Sequence, residues 1–599
     1  MSRERRTAIA TVCLSGTLED KLTAAAAAGF DGVELFENDL LASRLAPADV
    51  RRRCADLGLS IDLYQPFRDF EAVPTDVLAA NLRRAEQKFD VMAELGAGTV
   101  LVCSSVSPDA IDDDELAAEQ LHRLATLAGE RGLRVAYEAL AWGRFVHGYE
   151  HAWRIVRYAA HPALGVCLDS FHILSKGADP AAIRAIPGEK IFFLQLADAP
   201  ELPMDVLPWS RHHRLFPGQG DFDLTAFTGH VLAAGYRGPL SLEVFNDVFR
   251  QADPGPAAVD ARRSLLALEE SLGLLDIPPA PALTGYAFAE IVAGREAGDV
   301  LAALGFARTG LHRSKPVELW SQNDARVLVN TGGGAGAIAA IGLAGPEPAT
   351  AADRAEALLA PVLPRTTGPR EAELATIAAP DGTQLVLCRA DDWIGDFVVT
   401  GESAPGAGIT GIDHVALTQP FDHFDEAALF YRSVLGLTLD PATEFAAPFG
   451  LVRSRGVADS GRKVRLTLDS ALVRRGEWAP AVPEPQHVAF ACPDAVACAE
   501  ALRKLGAPLL EIPGNYYDDL AARTTLSPDR VYALREHSIL YDRDEHGEFL
   551  HFYTGLAGGR VFFEVVERIG GYRGFGVVNA PIRMAAHREM RQHRLPIPG

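Results

Sequence analysis

The chain reads TVLVCSS (99–105), RVAYEAL (134–140), LGVCLD (164–169) and IFFLQLAD (191–198), four short apolar runs in a single stretch. An amphipathic segment rich in alanine and leucine separates each run from the next. Near-continuous apolar strands are typical of parallel sheets that are covered on both faces. Strands that alternate with helical segments indicate βαβ units. This stretch therefore predicts parallel strands that are connected by helices.

The same alternation extends outward on both sides of this stretch. Three runs precede it and one follows it: TAIATVC (7–13), GVELF (32–36), SIDLYQP (60–66) and PLSLEVF (239–245). Eight strand–helix units between Arg6 and Leu274 predict an α/β fold, a (β/α)8 TIM barrel. A doubly wound sheet is the alternative, because it also buries its strands on two faces.

A proline-rich segment without periodicity, DIPPAPALTG (276–285), follows the last predicted helix and indicates a linker. Beyond it, AEIVAGREAGDVLAALGF (289–306) and DHVALTQPFDHFDEAALFYRSVLGL (413–437) each read as strand, helix and turn, with further strands to follow. A repeated unit of this kind predicts paired βαβββ modules, an α+β fold. The predicted divisions are a barrel over 1–275, a linker over 276–284, and two module halves over 285–405 and 406–599.

Size and charge restrict the class of protein. A chain of 599 residues exceeds one hydrophobic core, and a net charge of −22 opposes binding to nucleic acid or anionic membranes. The seven cysteines include no CxxC pair, and neither a membrane-spanning run nor a signal sequence is evident. We expect a cytoplasmic enzyme that acts on a small molecule and can form a homo-oligomer.

Polar side chains end the last four predicted barrel strands, where a TIM barrel has its active site. They are Glu138, Asp169, Gln195 and Glu243. A charge in an apolar run is costly unless it is paired or bound to metal. Oxygen ligands suit Mg²⁺ or Mn²⁺. Separate pairing of each acid with an arginine is the alternative, but four such residues at adjacent strand ends favour a metal site.

Four segments of the barrel resemble the sugar-phosphate isomerase/epimerase superfamily: YEALAWG (137–143), CLDSFHIL (167–174), FLQLAD (193–198) and LSLEVFN (240–246). The whole chain resembles the fused bacterial 3-dehydroshikimate dehydratases of quinate and shikimate catabolism. This resemblance implies a hydro-lyase that forms protocatechuate. It implies Glu138, Asp169, Gln195 and Glu243 as ligands of Mg²⁺, Mn²⁺ or Co²⁺. It also implies that His172 is catalytic, with Glu138 and Glu243 sharing in catalysis. Gln195 departs from the histidine that many members of the superfamily have.

Dehydration of such a substrate requires removal of the proton next to the ring ketone and loss of the β-hydroxyl as water. His172 can serve as general base or acid. The substrate carboxylate requires cations, for which Arg68, Arg214 and Arg211 are candidates, with Ser210 as a hydrogen-bond donor.

The second half resembles vicinal-oxygen-chelate dioxygenases, in particular 4-hydroxyphenylpyruvate dioxygenase. The resemblance lies in IDHVAL (412–417), PQHVAFAC (485–492), YDRDEHGEFLHFYT (541–554) and FFEVVERIGGYRGFG (562–576). It implies His414, His487 and Glu564 as a triad for Fe²⁺, Mg²⁺ or another divalent ion. Residues 285–405, with HRSKPVELW (312–320), resemble the metal-free half of that family.

The expected substrate contacts of this dioxygenase family are altered. The strand LTLDSAL (466–472) lacks the usual amides, His551 stands where glutamine is usual, and the C-terminal lid has Val577, Val578 and Pro581. We therefore expect metal binding without oxidation of 4-hydroxyphenylpyruvate.

The sequence is also compatible with three other functions. The barrel can be an isomerase or epimerase of a ketose or inositol derivative. The second half can be a dioxygenase with the barrel as its scaffold. The second half can also be a non-catalytic oligomerisation or regulatory module.

Overall fold

The structure is a computed structural model that describes residues 5–334, 336–448, 450–471, 485–557 and 559–594. The chain divides into two compact units, Met1–Asp276 and Ile277–Gly599. Within the described residues, no helix has both the length and the apolar composition needed to cross a membrane.

Eight parallel strands of the first unit close into a barrel in sequence order, with β8 pairing with β1. They are β1 (Thr7–Ala10), β2 (Gly32–Phe36), β3 (Ser60–Phe67), β4 (Thr99–Cys103), β5 (Arg134–Glu138), β6 (Leu164–Asp169), β7 (Ile191–Leu196) and β8 (Leu240–Leu242). Each strand lies in one of the eight apolar runs, apart from β3, which extends one residue beyond its run. The predicted TIM barrel is confirmed, and the closure excludes a doubly wound sheet.

Helices surround the barrel strands. They are α1 (Leu18–Ala27), α2 (Glu37–Ala42), α3 (Pro47–Asp56), α4 (Thr75–Leu95), α5 (Asp114–Glu130), α6 (Tyr149–Ala159), α7 (Ser170–Leu174), α8 (Val206–His212), α9 (Leu224–Ala233) and α10 (Pro254–Ser271), with 3₁₀ turns at Thr11–Cys13, Pro180–Ala185 and Gly188–Lys190. Local sequence sets several of their ends. Thr17 and Asp20 form a capping box at the start of α1. Gly96 ends α4 in the left-handed conformation.

Strand register brings the predicted site residues to one end of the barrel. Asp169 is the last residue of β6 and pairs with Gln195 of β7, which pairs in turn with Ser241 of β8. Glu138 ends β5, and Glu243 follows β8 directly. The carboxyl ends of neighbouring strands therefore present these side chains at a similar level.

The first sheet of the second unit contains two successive βαβββ units, each with one helix. Its elements are β9 (Gly285–Val292), α11 (Arg295–Ala303), β10 (Ala307–His312), β11 (Val317–Gln322) and β12 (Ala325–Asn330), then β13 (Ala337–Ala344), α12 (Pro348–Ala357), β14 (Ala375–Ala378), β15 (Gln384–Cys388) and β16 (Phe397–Val399), with a 3₁₀ turn at Ile394–Asp396. The strand order is β14-β15-β13-β9-β12-β11-β10-β16.

The second sheet follows the same plan and adds three helices. Its elements are β17 (Gly411–Thr418), α13 (Phe424–Leu435), β18 (Thr438–Leu439), β19 (Thr443–Ala447), β20 (Gly450–Ala458) and β21 (Arg465–Ala471), then β22 (Gln486–Ala491), α14 (Ala495–Lys504), α15 (Gly514–Arg523), α16 (Pro528–Glu536), β23 (Leu540–Arg543), β24 (Gly547–Tyr553), β25 (Val561–Gly570), a 3₁₀ turn at Val577–Asn579 and α17 (Ala580–Arg594). The order is β18-β20-β21-β17-β22-β25-β24-β23, with β19 beside β20. The predicted α+β module of paired βαβββ units is confirmed. Leu472 lies outside the described residues.

Candidate metal centres

The barrel centre is a cluster of buried acidic side chains. Glu138, Asp169 and His172 each present one potential ligand atom, and these atoms lie within 4.8 Å of one another. Arg214 connects Glu243 to this group, because its Nη1 lies 2.7 Å from Asp169 Oδ2 and 3.2 Å from Glu243 Oε2. The structure thus brings the three predicted carboxylates together and inserts a guanidinium between two of them.

The electrostatics of this cluster suit a cation. Burial raises the pKa of Glu138 well above its usual range, and the carboxylates of Asp169 and Glu243 raise it further. Burial also raises the pKa of Glu243 to about 7, against the opposing effect of Arg214. Glu138 Oε1 is buried and has no hydrogen-bond donor among the described residues. A buried carboxylate oxygen without a donor is costly, and a divalent ion would provide the missing positive charge. The oxygen ligands of this cluster therefore fit a hard metal ion.

Gln195 is oriented by a buried acid that the sequence analysis missed. Its Nε2 donates to Glu34 Oε2 at 2.6 Å, and Gln65 Nε2 donates to the same oxygen at 2.9 Å. Ser241 donates to the other Glu34 oxygen. The amide oxygen of Gln195 accepts from Cys167 Sγ at 3.3 Å and has a second lone pair that can bind a metal ion. Glu34 is a buried acid within an apolar run, the signal that selected Glu138, and could have been found in the same way.

Asp169 has a local role as well, because it caps the short helix that carries His172. Asp169 Oδ1 accepts the backbone N–H of His172 at 3.1 Å. This bond satisfies an N-terminal helix donor. It also fixes the imidazole beside the carboxylates, with the Trp142 ring centred 5.0 Å from it.

Donors face both ring nitrogens of His172. The Ala141 backbone N–H lies 3.2 Å from Nδ1, and Arg214 Nη2 lies 3.3 Å from Nε2. A neutral ring can accept from one of these donors, whereas a doubly protonated ring can accept from neither, so these neighbours favour the neutral form. Burial lowers the pKa of His172 to about 3, and Arg214 and Arg68 lower it further, against the opposing effect of Asp169.

The predicted substrate-binding residues lie at different depths. Ser210 Oγ accepts from Arg214 Nη2 at 2.9 Å and from its Nε at 3.2 Å, and both residues are buried. Arg68 follows β3 and is half-buried, whereas Arg211 is exposed. Ser210 and Arg214 therefore lie within the cluster, Arg68 lies close enough to affect the pKa of His172, and Arg211 faces solvent.

The second centre is built on three neighbouring strands of the second sheet. His414 lies in β17, His487 in β22 and Glu564 in β25. Glu564 Oε2 lies 3.1 Å from His414 Nε2 and 3.0 Å from His487 Nε2. All three side chains are buried. Two imidazoles and one carboxylate that meet at a point form the donor set of a facial triad, so these residues fit a divalent transition metal.

Asp413 orients the first histidine of this triad. Its Oδ1 lies 2.8 Å from His414 Nδ1, and Arg568 Nη2 donates to the same oxygen at 2.7 Å. A carboxylate on the outer ring nitrogen fixes the tautomer, which leaves His414 Nε2 as the ligand atom. Burial would lower the pKa of His414, but Glu564 and Asp413 raise it.

His551 orients the carboxylate of the triad. Its Nδ1 lies 2.7 Å from Glu564 Oε1, and its Nε2 lies 2.9 Å from Asn579 Nδ2. A neutral ring with its proton on Nδ1 donates to Glu564 and accepts from Asn579, so one tautomer satisfies both contacts. From the sequence, His551 is expected only as an altered substrate contact. In the structure it fixes Glu564 with Oε2 turned toward the two histidines.

Comparisons with known proteins agree with this architecture. The family model described as a xylose isomerase-like TIM barrel matches residues 22–269. The model described as the glyoxalase/bleomycin resistance protein/dioxygenase superfamily matches residues 411–533.

Three relatives match nearly the whole chain. A 3-dehydroshikimate dehydratase of Pseudomonas putida is 44% identical over 97% of this chain and 98% of its own length. The 3-dehydroshikimate dehydratase of Pseudomonas aeruginosa is 45% identical over 98% of both chains. A solved xylose isomerase-like TIM barrel/4-hydroxyphenylpyruvate dioxygenase fusion protein is 44% identical, covers 98% of this chain and all of its own, and has a TM-score of 0.91. The chain therefore belongs to the family of 3-dehydroshikimate dehydratases that join these two modules.

Proposed function

We propose that the barrel, residues 1–275, removes water from 3-dehydroshikimate and releases protocatechuate in quinate and shikimate catabolism. The observation that carries this proposal is the buried cluster of Glu138, Asp169 and His172, joined to Glu243 through Arg214. The chain also matches two dehydratases over nearly its full length. This match favours dehydration over the isomerase and scaffold alternatives.

Four residues are proposed to hold one divalent metal in the barrel: Glu138, Asp169, Gln195 and Glu243. Their oxygen donors suit Mg²⁺, Mn²⁺ or Co²⁺. Such an ion supplies Lewis-acid stabilisation of the negative charge that develops on the ketone oxygen.

His172 is proposed to move the proton. A neutral imidazole can take the proton from the carbon next to the ketone, and the electron pair then expels the β-hydroxyl. The imidazolium can return its proton to the departing hydroxyl, which leaves as water. Burial among donors favours the neutral ring before and after this transfer. Loss of a further ring proton to the ketone oxygen completes the aromatic ring.

Arg214, Ser210 and Arg68 are proposed to bind the substrate carboxylate. Arg214 Nη2 lies 3.3 Å from the ring nitrogen of His172 that faces the cluster, so a substrate at His172 is next to this guanidinium. Its Nη1 is paired with Asp169 and Glu243, so the N–H of Nη2 that faces His172 is the proposed donor to the substrate carboxylate. Ser210 fixes the guanidinium through two hydrogen bonds to it.

The second module is proposed to bind another divalent metal, Fe²⁺ or Mg²⁺, through His414, His487 and Glu564, and not to oxidise 4-hydroxyphenylpyruvate. The reason is that His551, at the position where the family has a substrate-binding amide, is engaged with Glu564 and Asn579. A pocket that lacks a substrate's hydrogen-bond partners discriminates strongly against that substrate.

One assay tests the first proposal, and an oxygen electrode tests the second. Purified full-length protein is incubated with 3-dehydroshikimate and Mg²⁺ or Mn²⁺ while catechol absorbance is followed. Full activity after treatment with a chelator would contradict the metal site. Oxygen uptake by Fe²⁺-loaded protein with 4-hydroxyphenylpyruvate would show that the altered pocket still accepts the keto acid. Protocatechuate belongs in the same oxygen assay as a second substrate.

A further inference from the structure

The second metal centre adjoins a small cavity that is lined in part by the C-terminal helix α17. The lining includes His414 and His487 on one side, Asp469 on β21, and Arg583 and Met584 on α17. Its volume is about 30 Å³, which accommodates roughly two water molecules. A ligand that fits without movement of α17 therefore has few atoms.

Arg583 is a buried cation in this lining, and its guanidinium lies against two aromatic rings. The residue is 6% exposed, and its guanidinium carbon lies 5.0 Å from the Phe562 ring centre and 5.6 Å from that of Tyr553. Among the described residues, the side chain of Arg583 makes no hydrogen bond or ion pair, in contrast to that of Arg568, which is paired with Asp413. A buried guanidinium is costly unless an anion or a set of acceptors satisfies it.

The charges around the cavity also favour an anion. Glu564 and Asp469 are the carboxylates next to it. A divalent ion on the triad together with Arg583 outweighs both, even when both are ionised. Ser454 and Thr467 in the same lining hydrogen-bond to Asp469, which occupies part of its negative charge and leaves Arg583 as the cation that faces the cavity.

We propose that this module binds a small carboxylate, with the carboxylate on Arg583 and a second oxygen on the metal. The inference rests on the metal site proposed above for His414, His487 and Glu564. A guanidinium offers two parallel N–H donors that match a carboxylate. The metal and Arg583 are then two fixed points that select an anion with oxygen atoms at both ends.

The test is a calorimetric titration of the full-length, Mn²⁺-loaded protein with oxalate. Oxalate is the smallest molecule that has one carboxylate for Arg583 and another for the metal. Arg583→Gln is expected to weaken one oxalate-binding event by at least about tenfold, since hydrogen bonds between charged groups are the strong ones. Arg583→Lys keeps the charge but not the fork, so its loss should be smaller. Arg588→Gln, half-buried on the same helix, is the matched control and should bind oxalate like the unaltered protein.

Metal content, measured by mass spectrometry for each variant, separates the two proposals. Wild-type oxalate affinity in Arg583→Gln, with the metal retained, would overturn the carboxylate site and leave the metal site intact. A chain with alanine at His414, His487 and Glu564 that keeps its full metal content would instead overturn the metal site. Inorganic phosphate is a third probe. Tighter binding of phosphate than of oxalate at the Arg583-dependent site would overturn the assignment to a carboxylate.

Discussion

The two metal centres differ in how their ligands are held. In the second module, Asp413 fixes His414 and His551 fixes Glu564, so two of the three donors have a dedicated neighbour. In the barrel, Glu34 orients the neutral Gln195, but the acids Asp169 and Glu243 share a single cation, Arg214. Histidine and carboxylate can converge without strong repulsion, whereas three acids cannot. The barrel centre therefore depends more on positive charge, and the second centre depends more on its orienting hydrogen bonds.

The largest expected effect is the loss of a barrel carboxylate. Asp169→Ala or Glu243→Ala should reduce dehydration of 3-dehydroshikimate by more than about 10²-fold, because even loss of a residue that only supports a ligand costs about 10–100-fold. Catechol absorbance measures the rate. His414→Ala is the matched change in the other centre and should leave dehydration near the unaltered rate. A Glu243→Ala protein with near-normal turnover would remove this residue from the site.

His172→Ala is expected to separate catalysis from metal binding. Turnover should fall by about 10²–10⁴-fold, the usual contribution of a general acid–base group, while barrel metal content stays close to that of the unaltered protein. Steady-state kinetics and metal analysis on the same samples give both values. If metal and activity were lost together, His172 would be a ligand or a structural residue.

Most of the proposed ligands of both metal centres could be predicted from the sequence, because they lie on or directly after strands. All eight apolar barrel runs contain strands, and an acid at the end of such a run is placed by strand geometry alone. His414, His487 and Glu564 likewise lie in runs with strand character. Parallel and antiparallel pairing of known strands is enough to bring such residues close together.

Residues brought in by loops and by the C-terminal segment could not be placed in the same way. Arg214 lies in a loop after β7, and it reaches the carboxylates because its backbone N–H bonds to Phe245 O at 3.2 Å and Asn246 Nδ2 donates to its carbonyl. His551 was identified by type, but its partner Asn579 lies in a 3₁₀ turn far along the chain. Contacts of this kind depend on tertiary structure that no local pattern records.

The orienting residues of the second centre should have intermediate effects. Asp413→Asn or His551→Ala is expected to weaken metal binding by the second module about 10–100-fold, the usual cost of removing a partner of a ligand. Competition with a metallochromic indicator measures this affinity in the full-length protein. His551→Gln is the matched variant, since an amide can still donate to Glu564 and should lose less. If all three variants bound the metal as tightly as the unaltered protein, the ligands would be held in place without Asp413 and His551.

The smallest expected effect concerns Arg68, which lies at the margin of the barrel centre. A residue that binds the substrate carboxylate acts equally in the ground state and the transition state, so its removal raises KM and leaves kcat nearly unchanged. Because Arg68 is half-buried and its charge is partly screened by solvent, Arg68→Ala should raise KM by about tenfold. Arg211→Ala removes an exposed arginine and is the matched control. Steady-state kinetics with 3-dehydroshikimate give KM and kcat for both variants.

An unchanged KM for Arg68→Ala would assign the substrate carboxylate to Arg214 and Ser210 alone. A fall in kcat without a change in KM would instead place Arg68 at the reacting atoms.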